Sequence, residues 1–308
     1  MTLSGAGRDA GGRADTSDTS VTHSAGCSSA TLSVPELARL VDVALPECAE
    51  LDGVCFPLRR YDARRAILRS GDLFRSLYVV RRGFFKQALL TSGGAEQVVG
   101  FPMPGDVIGA EGLDTGVHLT EVVSLSNAEV AILPFGQLNG LGNRFSCVRR
   151  LVARMLGKEL SQAIEGVSML GTLGATARVA QFLTHYSKRM AASGASRVAF
   201  DLQMTRAELA SFLGIALETV SRTLNALANA GLIEIHQRAI RIRDSAGLKA
   251  LIEDSRPSVL ARGASAATMA RLAGQSGNRS RVIRFTQGGA TLASQPTNDN
   301  QAHRGMET

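Results

Sequence analysis

The chain has 308 residues, no tryptophan and only 5% aromatic residues. Stacking surfaces for unpaired bases are therefore scarce, which argues against a single-strand nucleic-acid binder. The four cysteines, Cys27, Cys48, Cys55 and Cys147, form no C-x-x-C pair. That spacing fits neither a zinc site nor a thioredoxin-type redox motif. Cys55 and Cys147 sit beside apolar neighbours and read as ordinary core thiols, because disulfides are rare in cytoplasmic proteins. No apolar run approaches the roughly 18 to 20 residues that span a bilayer. The first twenty residues lack the apolar centre of a signal peptide. A cytoplasmic protein with no membrane partner is expected. No nucleophile–base pair, metal cluster or phosphate-cradling glycine motif is present, and the glycines fall at strand turns. An enzyme is not expected.

The net charge of +7 is unevenly spread. Residues 255–308 hold seven Arg and no Lys against Asp299 and Glu307, a net of +5. Residues 1–30 carry two Arg against three Asp, so only +3 is left for 31–254. The basic balance describes a tail more than a domain. That tail either adds nonspecific attraction to phosphates or is an inert soluble extension.

Composition divides the rest. Residues 1–30, rich in Gly, Ser, Thr, Ala and Asp, read as a disordered tail. Residues 35–50 read as a short helix. From about Val54 to Pro134, short apolar runs such as SLYVVRRG, EQVVGFPMPGD and AEVAILP alternate with Gly turns. This pattern predicts an antiparallel barrel or jelly roll within 31–144. Residues 145–171 read as one long helix. Val148, Val152, Leu156, Leu160, Ala163 and Val167 recur on it in steps of three and four. Such a stripe fits a twofold dimer seam, with part of the helix packing on its own barrel. Residues 172–253 hold a further helix over 175–192, a helix pair and a hairpin. Residues 254–308 read as a disordered basic tail, with RVIRFTQ (281–287) as a short apolar island.

The helix pair is the most informative segment. Thr205 and Glu208 form a T-x-x-E capping box. Leu209 and Leu213 give the first helix an apolar face, and Gly214 suits a turn with positive φ. The second helix sets Glu218, Ser221, Arg222 and Asn225 at i, i+3, i+4, i+7, on one outward face. Thr223 stands where an apolar residue is usual, and Leu224 is expected to supply that burial. Arg can hold guanine O6 and N7, and Glu can accept from cytosine N4. Two amphipathic helices around a Gly turn also occur as a simple packed pair. The alternating segment GLIEIHQRAIRIRD (231–244) shifts the balance, because a hairpin after such a helix makes a winged helix-turn-helix.

An α+β chain in this order resembles the CRP/FNR superfamily of bacterial transcription regulators over about residues 27–253. The resemblance is carried by GDLFRSLYVVRRGFFK (71–86), GDVIGAEGL (105–113), EVAILPF (129–135) and MTRAELASFLGIALETVSRTL (204–224). It implies an N-terminal cyclic-nucleotide-binding-like jelly roll, a dimerisation helix and a C-terminal winged helix-turn-helix. The E-x-x-S-R pattern at Glu218, Ser221 and Arg222 is similar to the FNR branch. That branch implies a homodimer on double-stranded DNA, at inverted repeats with TTGAT-like half-sites, with RNA polymerase as partner. Activation of low-oxygen or nitrogen-oxide-linked genes goes with it. The implied DNA-contacting residues are Thr205, Arg206, Leu217, Glu218, Ser221, Arg222 and Asn225.

The effector site departs from the family. FNR holds an iron–sulfur cluster on three N-terminal cysteines and one in the barrel. Here only Cys27 matches; Ser24, Ser33 and Ala131 fall at the other positions. One thiolate cannot hold a cluster that takes four ligands. The cyclic-AMP branch needs a Glu and an Arg-Ser pair, but Glu111 is one place late and His118-Leu119 replace Arg-Ser. Neither an iron–sulfur cluster nor cyclic AMP is expected, which places the chain nearest the cluster-less FixK-like regulators. His118 and His185 could ligate haem, although a lone His is more often satisfied in the fold. Cys27 is either a redox handle or a thiol with no role. A sensor of the same fold, acting through a protein partner with little specific DNA binding, is the alternative function.

Overall fold

The computed structural model describes residues 30–44, 51, 53–91, 93–171 and 173–255. All of them belong to one unit of the chain. Cys27, the N-terminal tail through residue 29, and the expected basic tail from 256, with its island at 281–287, lie outside the described residues.

The first elements are β1 (Thr31–Ser33) and α1 (Val34–Leu40). Ser33 caps α1: its Oγ accepts from the Glu36 amide, while the Glu36 carboxylate accepts from the Ser33 N–H at 2.9 Å. A position at which the resemblance seeks a cluster ligand thus serves a capping box. The helix expected over 35–50 closes at Leu40, where the chain turns through Asp42 at φ 58.

Eight strands follow: β2 (Cys55–Tyr61), β3 (Ala66–Leu68), β4 (Ser76–Arg82), β5 (Phe85–Leu90), β6 (Glu96–Gly100), β7 (Val107–Ile108), β8 (Thr120–Ser124) and β9 (Ala128–Pro134). They form two sheets, ordered β1-β2-β9-β4-β7 and β3-β8-β5-β6, with antiparallel pairing throughout. This is the expected jelly roll. A short helix, α2 (Gly112–Thr115), interrupts it. β4 and β9 are apolar on both faces. Val80 and Val130 join Phe85 and Val122 in the barrel interior. Leu77, Val79, Ala131 and Leu133 point the other way, into a cluster that α1 and later helices cover. Two-sided burial explains why these strands read as continuous apolar runs. Cys147 is buried in that second cluster, as expected of a core thiol. Cys55 departs from expectation, because it is disulfide-bonded. Pairing depends on two Cβ atoms meeting in space, which linear spacing does not disclose.

The helix α3 (Phe135–Arg144) leads into α4 (Ser146–Gly171), the long helix anticipated at 145–171. The apolar stripe of α4 divides into two halves. Val148, Leu151 and Met155 are each 1% exposed and complete the barrel's second cluster. Val148, expected in a dimer seam, is therefore a barrel-core residue instead. Val152 and Leu156 are half-buried, and Ala163 is exposed. Beyond them, Leu160, Ile164 and Val167 are more than 60% exposed.

The remainder comprises α5 (Ala175–Ala192), β10 (Ala199–Asp201), α6 (Arg206–Leu213), α7 (Leu217–Asn229), β11 (Ile233–His236), β12 (Ala239–Ile242) and α8 (Ser245–Asp254). The three strands form one antiparallel sheet, ordered β10-β12-β11. A single apolar cluster joins α5, α6, α7 and α8 to Val98, Phe101 and Met103 of the barrel.

Candidate nucleic-acid interface

Local sequence dictates the α6–α7 unit. The Thr205 N–H donates to Glu208 Oε2 at 2.7 Å, and the Glu208 N–H donates to Thr205 Oγ1 at 3.1 Å. That reciprocal box starts α6. Gly214 ends it at φ 61 and ψ 39, the left-handed region that costs most residues a Cβ clash. Leu209, Leu213, Val220, Leu224 and Leu227 close the seam between the two helices, each at most 2% exposed. Thr223 is itself buried at 6%, so Leu224 does not replace it; both point inward.

The outward face of α7 stands where the spacing put it. Glu218, Arg222 and Asn225 are exposed, and Ser221 is half-buried beside them. Leu217, half exposed, opens the helix. Thr205 is exposed and Arg206 half-buried at the start of α6. None of the α7 side chains on this face makes a hydrogen bond or ion pair among the described residues. A helix with four polar groups open on one side can enter a major groove. The wing follows directly. β11 and β12 meet through a tight turn at Gln237 (φ 55) and Arg238, and Arg238 Nη1 donates to the Gln203 carbonyl at 3.2 Å.

The unit is seated on the barrel, which sequence reasoning missed. β6 is an edge strand of its sheet. The Val98 N–H donates to Ser211 Oγ at 3.0 Å, and that hydroxyl donates to the Glu96 carbonyl at 3.3 Å. Lys86 lies 2.5 Å from Glu96 Oε1 and 3.5 Å from Glu208 Oε1. A second junction forms at Asp106, whose side chain is 4% exposed. It takes the Arg189 guanidinium of α5, the Gln162 amide of α4 at 2.8 Å and the Met103 N–H at 2.8 Å.

Between these junctions lies a cavity of about 330 Å³, lined in part by Gln87, Glu111, Thr120, Glu159, Glu165 and His185. Gln87 Nε2 donates to Thr120 Oγ1 at 3.0 Å, and the Thr120 hydroxyl donates to Glu111 Oε1 at 2.7 Å. Burial and the nearby Asp106 push the Glu159 carboxyl up to about 7. His185 Nε2 sits 2.7 Å from Glu165, and burial lowers its pKa. Arg189, the guanidinium on this lining, is committed to Asp106. The lining therefore carries several carboxyl groups and an arginine already held by one of them. His118 is sealed at 2% exposure, edge-on to Phe74, with Gly109 and Gly112 against its ring. Its Nδ1 is 3.5 Å from Glu111 but makes no hydrogen bond. His118 is thus enclosed by its neighbours, whereas His185 lines the cavity with its Nε2 against Glu165. Ala131, at the barrel position of a cluster cysteine, is fully buried between Leu58 and Val79.

Comparison with known proteins agrees with this geometry. Residues 177–251 match the Crp-like helix-turn-helix domain, and residues 58–144 match the cyclic nucleotide-binding domain. The transcriptional regulatory protein btr of Bordetella pertussis is 31% identical over 214 residues, 69% of this chain and 88% of its own. The transcriptional activator protein FnrA of Stutzerimonas stutzeri is 32% identical over 229 residues, 74% of this chain and 92% of its own. Among solved structures, FixK2 from Bradyrhizobium japonicum aligns with a TM-score of 0.57 at 29% identity, covering 64% of this chain and 96% of FixK2. A jelly roll, a long helix and an open helix-turn-helix face, with relatives matched over nearly their whole length, mean that the chain belongs to the CRP/FNR superfamily of transcription regulators.

Proposed function

We propose that this protein is a homodimeric, sequence-specific DNA-binding activator of low-oxygen or nitrogen-oxide-linked genes. Its target is an FNR-like inverted repeat of the TTGAT-N4-ATCAA type. The observation that carries this reading is the open α7 face, with Glu218, Arg222 and Asn225 exposed and Ser221 between them. Arg222 and Glu218 read base edges, while Thr205 and Arg206 at the start of α6 approach phosphates. The second copy docks along the distal half of α4, where Leu160, Ile164 and Val167 lie bare. That pairing brings two recognition helices onto the two halves of a repeat. The relatives called transcriptional activators support activation. DNA binding in this reading needs neither an iron–sulfur cluster nor cyclic AMP, since Ser33 and Ala131 are built into the fold and the barrel cavity is acidic.

The test is salt-controlled binding of aerobically purified protein to a TTGAT-N4-ATCAA duplex and to a scrambled one, with an absorption spectrum of the same sample. Tight, selective binding by colourless protein is the expected result. Arg222→Ala should lose about 1–3 kcal/mol of binding and relax discrimination at one base pair. Unchanged affinity and selectivity in that variant would remove α7 from the role. A Soret band or an iron–sulfur shoulder would overturn the cofactor reading.

A further inference from the structure

Arg178 joins three separate segments at the root of the DNA-reading unit. Its Nε donates to the Leu173 carbonyl at 2.8 Å, in the connection between α4 and α5. Its Nη2 donates to the Leu170 carbonyl at 2.8 Å, in the last turn of α4. Its Nη1 donates to the Leu213 carbonyl at 3.0 Å, the last residue of α6. Two of these acceptors are helix C-terminal carbonyls, which have no partner within their own helix. A cation is also favoured there by the helix dipole. The next residue after Leu213 is Gly214, the turn between the two helices. A Cβ placed on Gly214 would lie 3.7 Å from both Arg178 Nη1 and Leu170. The turn therefore rests against the guanidinium and the end of α4, and α7 begins three residues later at Leu217.

We propose that Arg178 is a positioning residue for DNA recognition, a clamp that fixes the tilt of α7 relative to α4. This rests on the reading of the protein as a dimer on inverted repeats. In such a dimer α4 carries the twofold axis, so the α4–α7 angle sets the separation of the two recognition helices. Half-site spacing is then what the clamp controls. Base discrimination inside one half-site belongs to the α7 face, which Arg178 does not reach. A lysine substitutes only in part, because it offers a point charge where three carbonyls need a planar fork of donors.

The experiment uses the full chain with Arg178→Gln and Arg178→Lys. Binding is measured at one salt concentration to TTGAT repeats with three-, four-, five- and six-base spacers, and to single-base variants of the half-site. The wild type is expected to prefer one spacer. In Arg178→Gln that preference should fall at least about tenfold, with Arg178→Lys between the two and base discrimination kept in both. Unchanged spacer preference in both variants overturns the proposal. So does parallel loss of spacer and base discrimination, which marks a residue that only holds the fold. If the glutamine variant does not fold, the lysine variant carries the same comparison.

Nitroxide labels on non-natural side chains at exposed Ser168 of α4 and Asn229 of α7 give a readout that needs no DNA. Their distance distribution should be narrow in the wild type and broad in Arg178→Gln. Equal widths overturn the clamp. Failure of the wild type to prefer any repeat overturns the DNA reading instead, and leaves the label distances to decide whether Arg178 fixes the angle.

Discussion

The Val98 amide donates to the Ser211 hydroxyl at 3.0 Å, joining an edge strand of the barrel to the first helix of the DNA-reading unit. Exposed edge strands present unpaired backbone groups and are usually covered or blunted. Here α6 supplies the cover, since the same hydroxyl donates to the Glu96 carbonyl on the same strand. Ser211→Ala leaves the Val98 N–H without that acceptor and should cost about 1 kcal/mol of stability. Urea unfolding reads the loss, and amide exchange at Val98 should quicken. Exchange at Val98 as slow as in the wild type would mean that another group already protects it.

The divided stripe of α4 makes the next prediction. Val148 is 1% exposed and Ile164 61% exposed, on the same helix. A charge at Val148 is buried without a partner, so Val148→Asp should unfold the barrel. Ile164→Glu places its charge on bare surface and should leave the fold and its melting temperature nearly intact. In the dimer it would put two carboxylates on the seam and drive the protein to a monomer. Light scattering on size-exclusion fractions separates the two. An Ile164→Glu dimer as tight as the wild type would place the seam elsewhere.

Signals confined to a few neighbouring residues were legible in the sequence. The Thr205–Glu208 box, the Gly214 turn and the Glu218–Ser221–Arg222 face depend on i, i+3 and i+4 spacing alone, and each formed where expected. The barrel strands were legible because apolar runs broken by glycine mark them. What failed depends on partners distant in sequence. An apolar residue on α4 looks the same whether its own barrel or a second chain covers it, so spacing alone does not show that Val148 belongs to the barrel core. The segment of α3 carries three glycines, poor helix formers, and gives no clear helical signal. Arg178 sits on an amphipathic helix like any solvated arginine, and its three carbonyl acceptors come from segments that meet only in the fold. The Cys55 disulfide was missed for the same reason.

Two glycines with positive φ should differ sharply when replaced. Gly214 has φ 61, but an added Cβ would meet its neighbours at 3.7 Å, an ordinary contact. Gly214→Ala should cost only the backbone strain, about 1–2 kcal/mol. Gly83 has φ 88, and its Cβ would lie 2.6 Å from Ala128 Cβ and 2.7 Å from the Asn127 carbonyl oxygen. Backbone on the facing strand cannot retreat easily, so Gly83→Ala adds an overpacking cost of about 1–3 kcal/mol or more to the same strain. Thermal melts of the two variants should rank Gly83→Ala well below Gly214→Ala. The reverse order would contradict the close β4–β9 approach.

Glu159 predicts a pH dependence whose sign follows from its burial. Desolvation, with Asp106 and Glu111 nearby, raises its carboxyl from an ordinary 4.5 to about 7, against smaller opposing pulls from Arg189 and Lys158. Between those two values the folded protein holds a proton that the unfolded chain has released. Stability from this group therefore falls as pH rises through that window, and the penalty is complete above about 7. His185 works in the opposite sense. Burial lowers its pKa, so its contribution improves as pH rises through its titration. A wild-type profile would mix the two. Comparison with Glu159→Gln removes the confusion, because His185 is common to both proteins. The glutamine variant should match the wild type at or below pH 4.5, exceed it increasingly up to about pH 7, and keep that margin above it, as read from urea midpoints across the range. A constant difference at every pH would show that Glu159 keeps an ordinary carboxyl, and that the cavity beside Asp106 is wetter than its lining implies.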